Sequence, residues 1–175
     1  KISSIVGKLI FFTLEINNLS EKTLQEHYKN ETLKRYRPWI ETIRLFKDYQ
    51  LSKEIEKVFE EKKITSSSAW KRLYDETIAG LSFRIEEDNL SLDEALEKLS
   101  SPDRKVRVLA GLNISSELQK KVDLFALITN NLIKDKEIED RWRKYPEVDT
   151  FRHLSNNIEP RVVESLVKSV KETFP

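Results

Sequence analysis

Apolar side chains recur along most of this chain at the three- and four-residue spacing of an α-helix. The first stripe starts at Ile2, continues through Leu9, Phe12 and Ile16, and stops near Asn17. A stripe of this period predicts an amphipathic helix that turns its apolar face toward a core. Similar stripes in most later segments predict an architecture that is nearly all helix.

Serines and prolines mark where several of these helices should begin. Ser20 and Ser52 each precede an apolar stripe, so we expect both hydroxyls to cap helices. Val58, in the helix after Ser52, is expected to face inward. Pro38 should end one helix at Arg37 and stand in the first turn of the next, because proline disfavours helix in the residue before it. Two further helix starts are predicted, at the serine run 66–68 and at Pro160.

The second half of the chain contains two more predicted helix boundaries. Ser101 supplies a hydroxyl N-cap and Pro102 suits the first helical position, so a helix should start here. Gly111 is expected to close that helix, because glycine is favoured just past a helix end. Ser115 or Ser116 should then cap the longest helix of the chain.

The helical period is interrupted once, after Gly80. Phe83 and Ile85 alternate with polar neighbours, and a polar turn at 86–89 separates them from the next apolar positions. Alternation with period two is typical of a strand that has one buried face. The sequence therefore predicts one small β-hairpin near residues 81–92.

The predicted fold class is mainly α, a multi-helix array with that one hairpin. Only 3 glycines and 5 prolines interrupt 175 residues, which favours long regular elements. We expect a single helical lobe over residues 1–175, with a subdivision near residues 81–92 as an alternative. The chain opens on Lys1 inside a helical pattern, which suggests a piece of a longer protein.

Charge and composition exclude several classes of function. The net charge is +1, because 31 basic residues are balanced by 30 acidic ones, so no global charge attracts nucleic acid or an anionic membrane. No cysteine is present, which excludes disulfides, thiolate metal ligands and a cysteine nucleophile. The apolar run near Phe11 is too short to span a bilayer. We therefore expect no nucleic-acid or membrane partner.

The chain also lacks the pattern of a zinc peptidase site. Such a site needs two histidines one helical turn apart, with a glutamate between them as the base. The only histidines are His27 and His153, and neither begins an H-E-x-x-H motif. No G-x-S-x-G elbow or glycine-rich phosphate loop is present either. From the residues alone we predict no catalytic and no metal-binding residues.

Seven segments, taken in order, nevertheless resemble the N-terminal region of oligoendopeptidase F, a zinc metallopeptidase family related to the thimet oligopeptidases. They cover most of the chain, and their joint order is more specific than any one of them. The segments are FFTLEINNLS (11–20), YRPWIETIR (36–44), YQLSKEIEKVFEEK (49–62), SAWKRLYDETIAGLSF (68–83), LSLDEALEKLSSPDRKVR (90–107), LFALITNNLIKDKEIEDRWRKYP (124–146) and RHLSNNIEPRVVESLV (152–167).

The resemblance implies a cytoplasmic zinc endopeptidase that hydrolyses short peptides inside a deep channel. Its H-E-x-x-H helix and zinc ligands lie in a C-terminal catalytic part that has no counterpart here, so this stretch alone should be inactive. We expect it to form a wall or lid of the channel. The candidates for channel-side groups are Arg141, Trp142, Arg152 and His153, since arginines can hold a peptide carboxylate with two hydrogen bonds.

Two other interpretations remain open at this point. The segment 100–111 resembles the start of a HEAT-type helix and suggests a protein-interaction scaffold, although no second copy is found. The basic and aromatic segment 141–145 suggests a nucleic-acid-binding helical domain. The acidic residues just before that segment favour instead a helix with a solvated charged face and a buried Trp142.

Overall fold

The computed structural model describes the backbone of residues 2–174 and the side chains of residues 9–174. The chain divides into two compact units. The first comprises residues 1–62 and 136–175, and the second comprises residues 63–135. The predicted fold class, mainly α with one small hairpin, is confirmed.

The helices of the first unit come from both ends of the chain. They are α1 (Ile2–Asn18), α2 (Glu21–His27), α3 (Glu31–Lys34), α4 (Arg37–Arg44), α5 (Lys53–Lys62), α10 (Thr150–Ser155) and α11 (Pro160–Glu172). The second unit contains α6 (Ser67–Ala79), α7 (Leu92–Glu97), α8 (Arg104–Gln119) and the hairpin strands β1 (Phe83–Ile85) and β2 (Asp88–Leu90). Helix α9 (Val122–Arg143) begins in the second unit and ends in the first.

The C-terminal end of α1 is capped by a side chain from α4. Arg44 donates from Nη1 to the carbonyl oxygens of Ile16, Asn17 and Leu19, at 2.9, 3.2 and 3.0 Å. Ile16 and Asn17 lie in the last turn of α1, where carbonyl oxygens lack the regular N–H partner four residues on, and Leu19 follows the helix end. The Ile16 carbonyl oxygen also accepts from the Leu19 N–H at 3.3 Å. Nη2 of Arg44 pairs with Glu21. A single guanidinium therefore joins α1, α2 and α4, although its position in the sequence gives no sign of this role.

The hairpin of the second unit packs on α7 and α8. Phe83 pairs with Leu90 and Ile85 with Asp88, so the connecting turn contains only two residues. The turn is shorter than the predicted 86–89, because Asp88 and its neighbour already pair in β2. Phe83 and Ile85 are buried against α7 and α8 in the core of this unit. The alternation of Phe83 and Ile85 with polar neighbours thus predicted the buried face of β1 correctly.

Several predicted helix starts are confirmed, and one predicted helix end is displaced. The hydroxyls of Ser20 and Ser52 accept hydrogen bonds at the starts of α2 and α5, and Pro160 opens α11. Pro38 lies in the first turn of α4 as predicted, but the preceding helix ends at Lys34 instead of Arg37. Only two residues in turn conformation, Arg35 and Tyr36, separate α3 from α4.

The predicted boundaries around α8 are wrong. Its N-cap is Asp103, whose carboxylate accepts from the Lys105 N–H at 2.8 Å, so the helix starts after Pro102. Gly111 does not end the helix, which continues to Gln119. Ser115 and Ser116 lie inside α8, and α9 begins at Val122. The reason is packing, because the flanking residues 110 and 114 are buried in the core and outweigh the low helix propensity of one glycine.

Candidate functional site

The four candidate side chains lie on two helices of the first unit. Arg141 and Trp142 are in the last turn of α9, and Arg152 and His153 are in α10. Arg141 and Arg152 are exposed, whereas the His153 side chain is only 12% exposed. Trp142 is 51% exposed. The expectation of a buried Trp142 was therefore wrong, because the charged helix face on which it lies turns toward solvent.

Local contacts hold three of the four candidates in place. Nη1 of Arg141 lies 3.2 Å from the carboxylate of Glu137. The Trp142 ring meets the ring of Phe59 edge-on, at 6.2 Å between centroids. Nε2 of His153 lies 3.6 Å from the carboxylate of Asp149, one helical turn away. Within residues 9–174, no hydrogen bond, ion pair or ring contact joins the α9 pair of candidates to the α10 pair.

Sequence reasoning missed the most highly connected side chain of this region, Arg143. Its Nη1 and Nη2 donate to the two carboxylate oxygens of Glu56 on α5, at 2.7 and 2.9 Å. Its Nε donates to Glu139 at 2.9 Å, and Nη1 also approaches the Tyr49 carbonyl oxygen at 3.3 Å. Glu56 accepts in addition from the Leu51 N–H at 2.9 Å. This arrangement fixes the end of α9 against α5.

The charge of Arg143 is stabilised by these carboxylates. Burial opposes the charged form, but the hydrogen bonds and charges of Glu56 and Glu139 outweigh it and raise the pKa of Arg143 above its ordinary value. The side chains of Arg143 and Glu56 are 14% and 10% exposed. A two-pronged contact with this little solvent is stronger and more directional than a surface ion pair.

An aromatic cluster lies beside the ion pairs. The rings of Tyr49 and Tyr145 are 4.6 Å apart, Tyr145 and Phe151 are 6.3 Å apart, and Phe151 and Phe46 are 5.8 Å apart. Ring pairs at these separations attract each other beyond the burial of their area. Burial raises the pKa of Tyr145 to about 12, because the phenolate loses solvation there. The cluster connects α10 to the end of α9.

Two residues with left-handed backbone conformation end the helices that carry the candidates. Lys144 has φ 58° after α9, and Asn157 has φ 52° after α10. In each case the next residue donates five positions back, from Tyr145 to Asp140 and from Ile158 to His153. This is the pattern of a Schellman C-cap. Asparagine tolerates this conformation well, whereas lysine is disfavoured there.

The described residues do not fit a zinc site. Within them, no cluster of three or more histidine, aspartate or glutamate side chains could hold a metal ion. His153 has Asp149 beside it, and His27 is exposed at the end of α2. No step of zinc chemistry can therefore be derived from these residues.

Comparison with known proteins finds one family model and two solved structures that are similar to this chain. The family model for the N-terminal region of peptidase family M3, described as Oligopeptidase F, matches residues 15–83. The structure is similar to oligoendopeptidase-F from Enterococcus faecium, with 26% identity and a TM-score of 0.76, over 97% of this chain and 34% of that chain. None of the curated proteins matches the chain significantly.

A second solved structure has the same fold. It is a putative peptidase from Chlamydophila abortus, with 22% identity and a TM-score of 0.67, over 93% of this chain and 28% of that chain. At this identity the likeness shows the fold alone. The chain spans about a third of the length of these two structures. In sequence over residues 15–83, and in fold over nearly its whole length, this chain is similar to the N-terminal region of oligoendopeptidase F, as the order of its sequence segments predicted.

Proposed function

We propose that this chain is the non-catalytic, helical N-terminal part of a zinc-dependent oligoendopeptidase that hydrolyses short peptides. The observation that carries the proposal is the similarity to the Enterococcus faecium enzyme over 97% of this chain, at 26% identity. In this proposal the zinc and its ligands belong to a C-terminal catalytic part of the same polypeptide. The stretch described above serves as a wall or lid of the peptide channel and is inactive alone.

Exposed apolar side chains support a role inside a larger protein. Phe11, Phe12 and Trp39 are 42–50% exposed on α1 and α4, and the Phe12 and Trp39 rings stack at 6.2 Å. Leu166 on α11 is 64% exposed. Exposed apolar side chains that pack together, as Phe12 and Trp39 do, typically mark an interface with further protein. A helical wall built against a catalytic part would cover it.

The end of α9 and the start of α10 are the proposed peptide-facing region. Arg141 and Arg152 are exposed cations that can hold a peptide carboxylate, and Trp142 offers an exposed ring to an apolar side chain of the peptide. His153 is included, but its shielded position next to Asp149 suits it to orienting α10. The described residues contain no helix that is long and apolar enough to cross a membrane. A cytoplasmic location is part of the proposal.

The parent activity is tested on the polypeptide encoded by the complete gene. We expect an H-E-x-x-H motif downstream of Pro175, about one zinc ion per chain by elemental analysis, and cleavage of quenched-fluorescent short peptides but not of folded proteins. The 175-residue chain should bind no zinc and cleave nothing. A stop codon directly after Pro175 in the natural gene, or metal-dependent cleavage by the 175-residue chain, would contradict the proposal.

The peptide-facing region is tested by steady-state kinetics of the complete enzyme. Trp142→Ala should raise KM about fivefold to tenfold with little change in kcat, because an aromatic contact made equally in ground and transition states affects binding only. Tyr36→Ala is the control, since Tyr36 is an aromatic residue of the same unit with similar exposure, 45% against 51% for Trp142, and is not among the apolar side chains assigned to the interface. Equal effects of the two substitutions would remove Trp142 from the proposed channel wall.

A further inference from the structure

A pair of side chains on α5 meets a pair of side chains at the end of α9. Glu56 of α5 accepts two hydrogen bonds from Arg143 of α9. Phe59, one turn further along α5, meets Trp142 edge-on, with 6.2 Å between the ring centroids. The Arg143 guanidinium also lies over the Phe59 ring, 5.9 Å from its centroid, which is within the range of a cation–π contact. Arg143 and Phe59 therefore join the ion pair to the ring pair.

These side chains are restrained to different degrees. The Arg143 guanidinium is fixed, because its Nη1 and Nη2 share the carboxylate of Glu56 and the contact is largely shielded from solvent. Phe59 is half-buried, whereas Trp142 is 51% exposed. An exposed side chain keeps its rotamer freedom unless a contact removes it. Within residues 9–174, the only ring contact of Trp142 is with Phe59.

The backbone at this helix end is strained as well. Lys144, directly after the last residue of α9, has φ 58°, a left-handed conformation that is unfavourable for lysine. The last carbonyl oxygens of a helix also lack their regular partners, so helix ends fray easily. A strained residue persists only where the surrounding contacts over-determine it. The ion pairs of Arg143 with Glu56 and Glu139 are among the contacts that hold this end.

We infer that Arg143 is a positioning residue for peptide binding, which holds the indole of Trp142 in one orientation through Phe59 and the end of α9. This role rests on the proposed function, because that function places Trp142 in the peptide-facing region. A ring that is fixed before binding loses less conformational entropy when an apolar side chain of the peptide packs on it. Arg143 itself is turned away from solvent and acts on the peptide through Trp142.

A double-variant cycle, measured by steady-state kinetics of the complete enzyme, tests this role. Arg143→Met removes the charge and the forked contact, and it should raise KM about threefold to fivefold with kcat unchanged, because the ring contributes to binding only. In a Trp142→Ala background the same substitution should leave KM unchanged, since its effect passes through Trp142. Arg143→Lys should raise KM about twofold, because lysine keeps the charge but cannot contact both oxygens of Glu56.

Arg37→Met is the control for the loss of an arginine. Arg37 pairs with Glu41 at 2.6 Å, and its guanidinium lies 5.4 Å from the centroid of the Tyr28 ring. It belongs to the same unit, and within residues 9–174 no hydrogen bond, ion pair or ring contact joins it to Trp142. Arg37→Met should therefore leave KM unchanged. An equal rise in KM for Arg37→Met and Arg143→Met would show a general loosening of the unit and would overturn the positioning role.

Fluorine NMR of the complete protein, labelled with fluorotryptophan, reports on the Trp142 ring directly. The Trp142 resonance is the one that disappears in Trp142→Phe. Arg143→Met should narrow this resonance and move it toward the position of free fluorotryptophan, because the ring leaves the edge of Phe59 and turns more freely. Phe59→Leu leaves the ion pair in place and should have the same effects on the resonance and on KM. It is the second variant, in case Arg143→Met does not fold.

Two further results would overturn the positioning role. One is a rise in KM for Arg143→Met that is equal with and without Trp142, and the other is a Trp142 resonance that is unmoved in both Arg143→Met and Phe59→Leu. The proposed function fails separately. If Trp142→Ala leaves KM unchanged while the resonance still moves in Arg143→Met, the peptide-facing region is refuted and with it the role in binding, and Arg143 still orients the ring.

Discussion

The buried contact between Arg143 and Glu56 provides the sharpest prediction about the fold. Glu56→Gln keeps the size and shape of the side chain and removes its charge. It replaces one carboxylate oxygen, which accepts from Arg143 at 2.7 or 2.9 Å, by an amide group that can only donate. Arg143 then retains Glu139 as its charged partner, at 2.8 Å. The Arg143 guanidinium then stays buried with fewer negative charges to offset its lost hydration.

The expected loss in free energy of unfolding is about 2–3 kcal/mol. Removing one partner of a fully buried ion pair costs about 3–5 kcal/mol. The loss is smaller here because the two side chains are still 14% and 10% exposed and Glu139 remains. Arg143→Lys should cost about 1–2 kcal/mol, because lysine keeps the charge but cannot contact both oxygens of Glu56 with a fixed fork. Arg143→Met is the third single variant.

Urea unfolding at pH 7 measures these values, with circular dichroism as one probe and Trp142 fluorescence as the other. Replacing Trp39 and Trp70 by phenylalanine isolates the Trp142 signal. Glu31→Gln is the control, because its pair with Lys34 is 84% and 60% exposed and such pairs contribute about 0–1 kcal/mol. A cycle of Glu56→Gln, Arg143→Met and the double variant should give a coupling energy of about 1–3 kcal/mol. Additive effects, or a Glu56→Gln variant as stable as the Glu31→Gln control, would refute the assignment.

Three further predictions concern backbone conformation and alkaline pH. Gly111→Ala should raise the free energy of unfolding in urea by about 0.5–1 kcal/mol, since the added Cβ meets only a Leu99 methyl carbon at 3.8 Å. Gly80→Ala is the control and should bring no gain, because a Cβ there meets a carbonyl oxygen at 3.3 Å. Lys144→Gly should raise the thermal midpoint, because glycine adopts φ 58° without strain, while Asn157→Gly should change it less; equal shifts would contradict this. The raised pKa of Tyr145 means that the unfolded phenol ionises first, so its contribution to stability is complete below about pH 10 and is lost as pH rises toward 12. Tyr145→Phe should remove that part of the alkaline loss in urea titrations at pH 9–12, and an unchanged pH profile would contradict it.

Local patterns explain which elements could be predicted from the sequence. The hairpin follows from alternation around Phe83 and Ile85, and the starts of α2 and α5 follow from a hydroxyl that reaches the N–H three residues on. Both features depend on residues within a few positions of each other. The start of α8 was misplaced because Ser101 and Asp103 are both acceptable caps, and in the structure it is the Asp103 carboxylate that accepts from the first turn of the helix.

The role of the four candidate residues stays a prediction, and the ion pairs beside them were not predicted, for a related reason. Trp142 and its charged neighbours were identified from residue type, but charge on a helix gives no indication of whether it is solvated. Arg143 and Glu56 are 87 positions apart and each lies in a segment that reads as a solvated, charged face. Their contact exists only because α5 and the end of α9 meet in the first unit. The exposure of Trp142 has the same cause, since it depends on which side of α9 is packed against α5.

The sequence by itself determined the helical class, the hairpin, several helix starts and the similarity to oligoendopeptidase F, because periodicity, capping and ordered segments are encoded by near neighbours. Tertiary structure alone decided the paired ions of Arg143, the cap that Arg44 supplies to α1, and the exposure of Leu166 on α11. Each of these depends on which surfaces meet in three dimensions. Packing of two surfaces buries and desolvates the side chains between them. Burial then determines whether a charged side chain stays solvated at the surface or forms a buried ion pair.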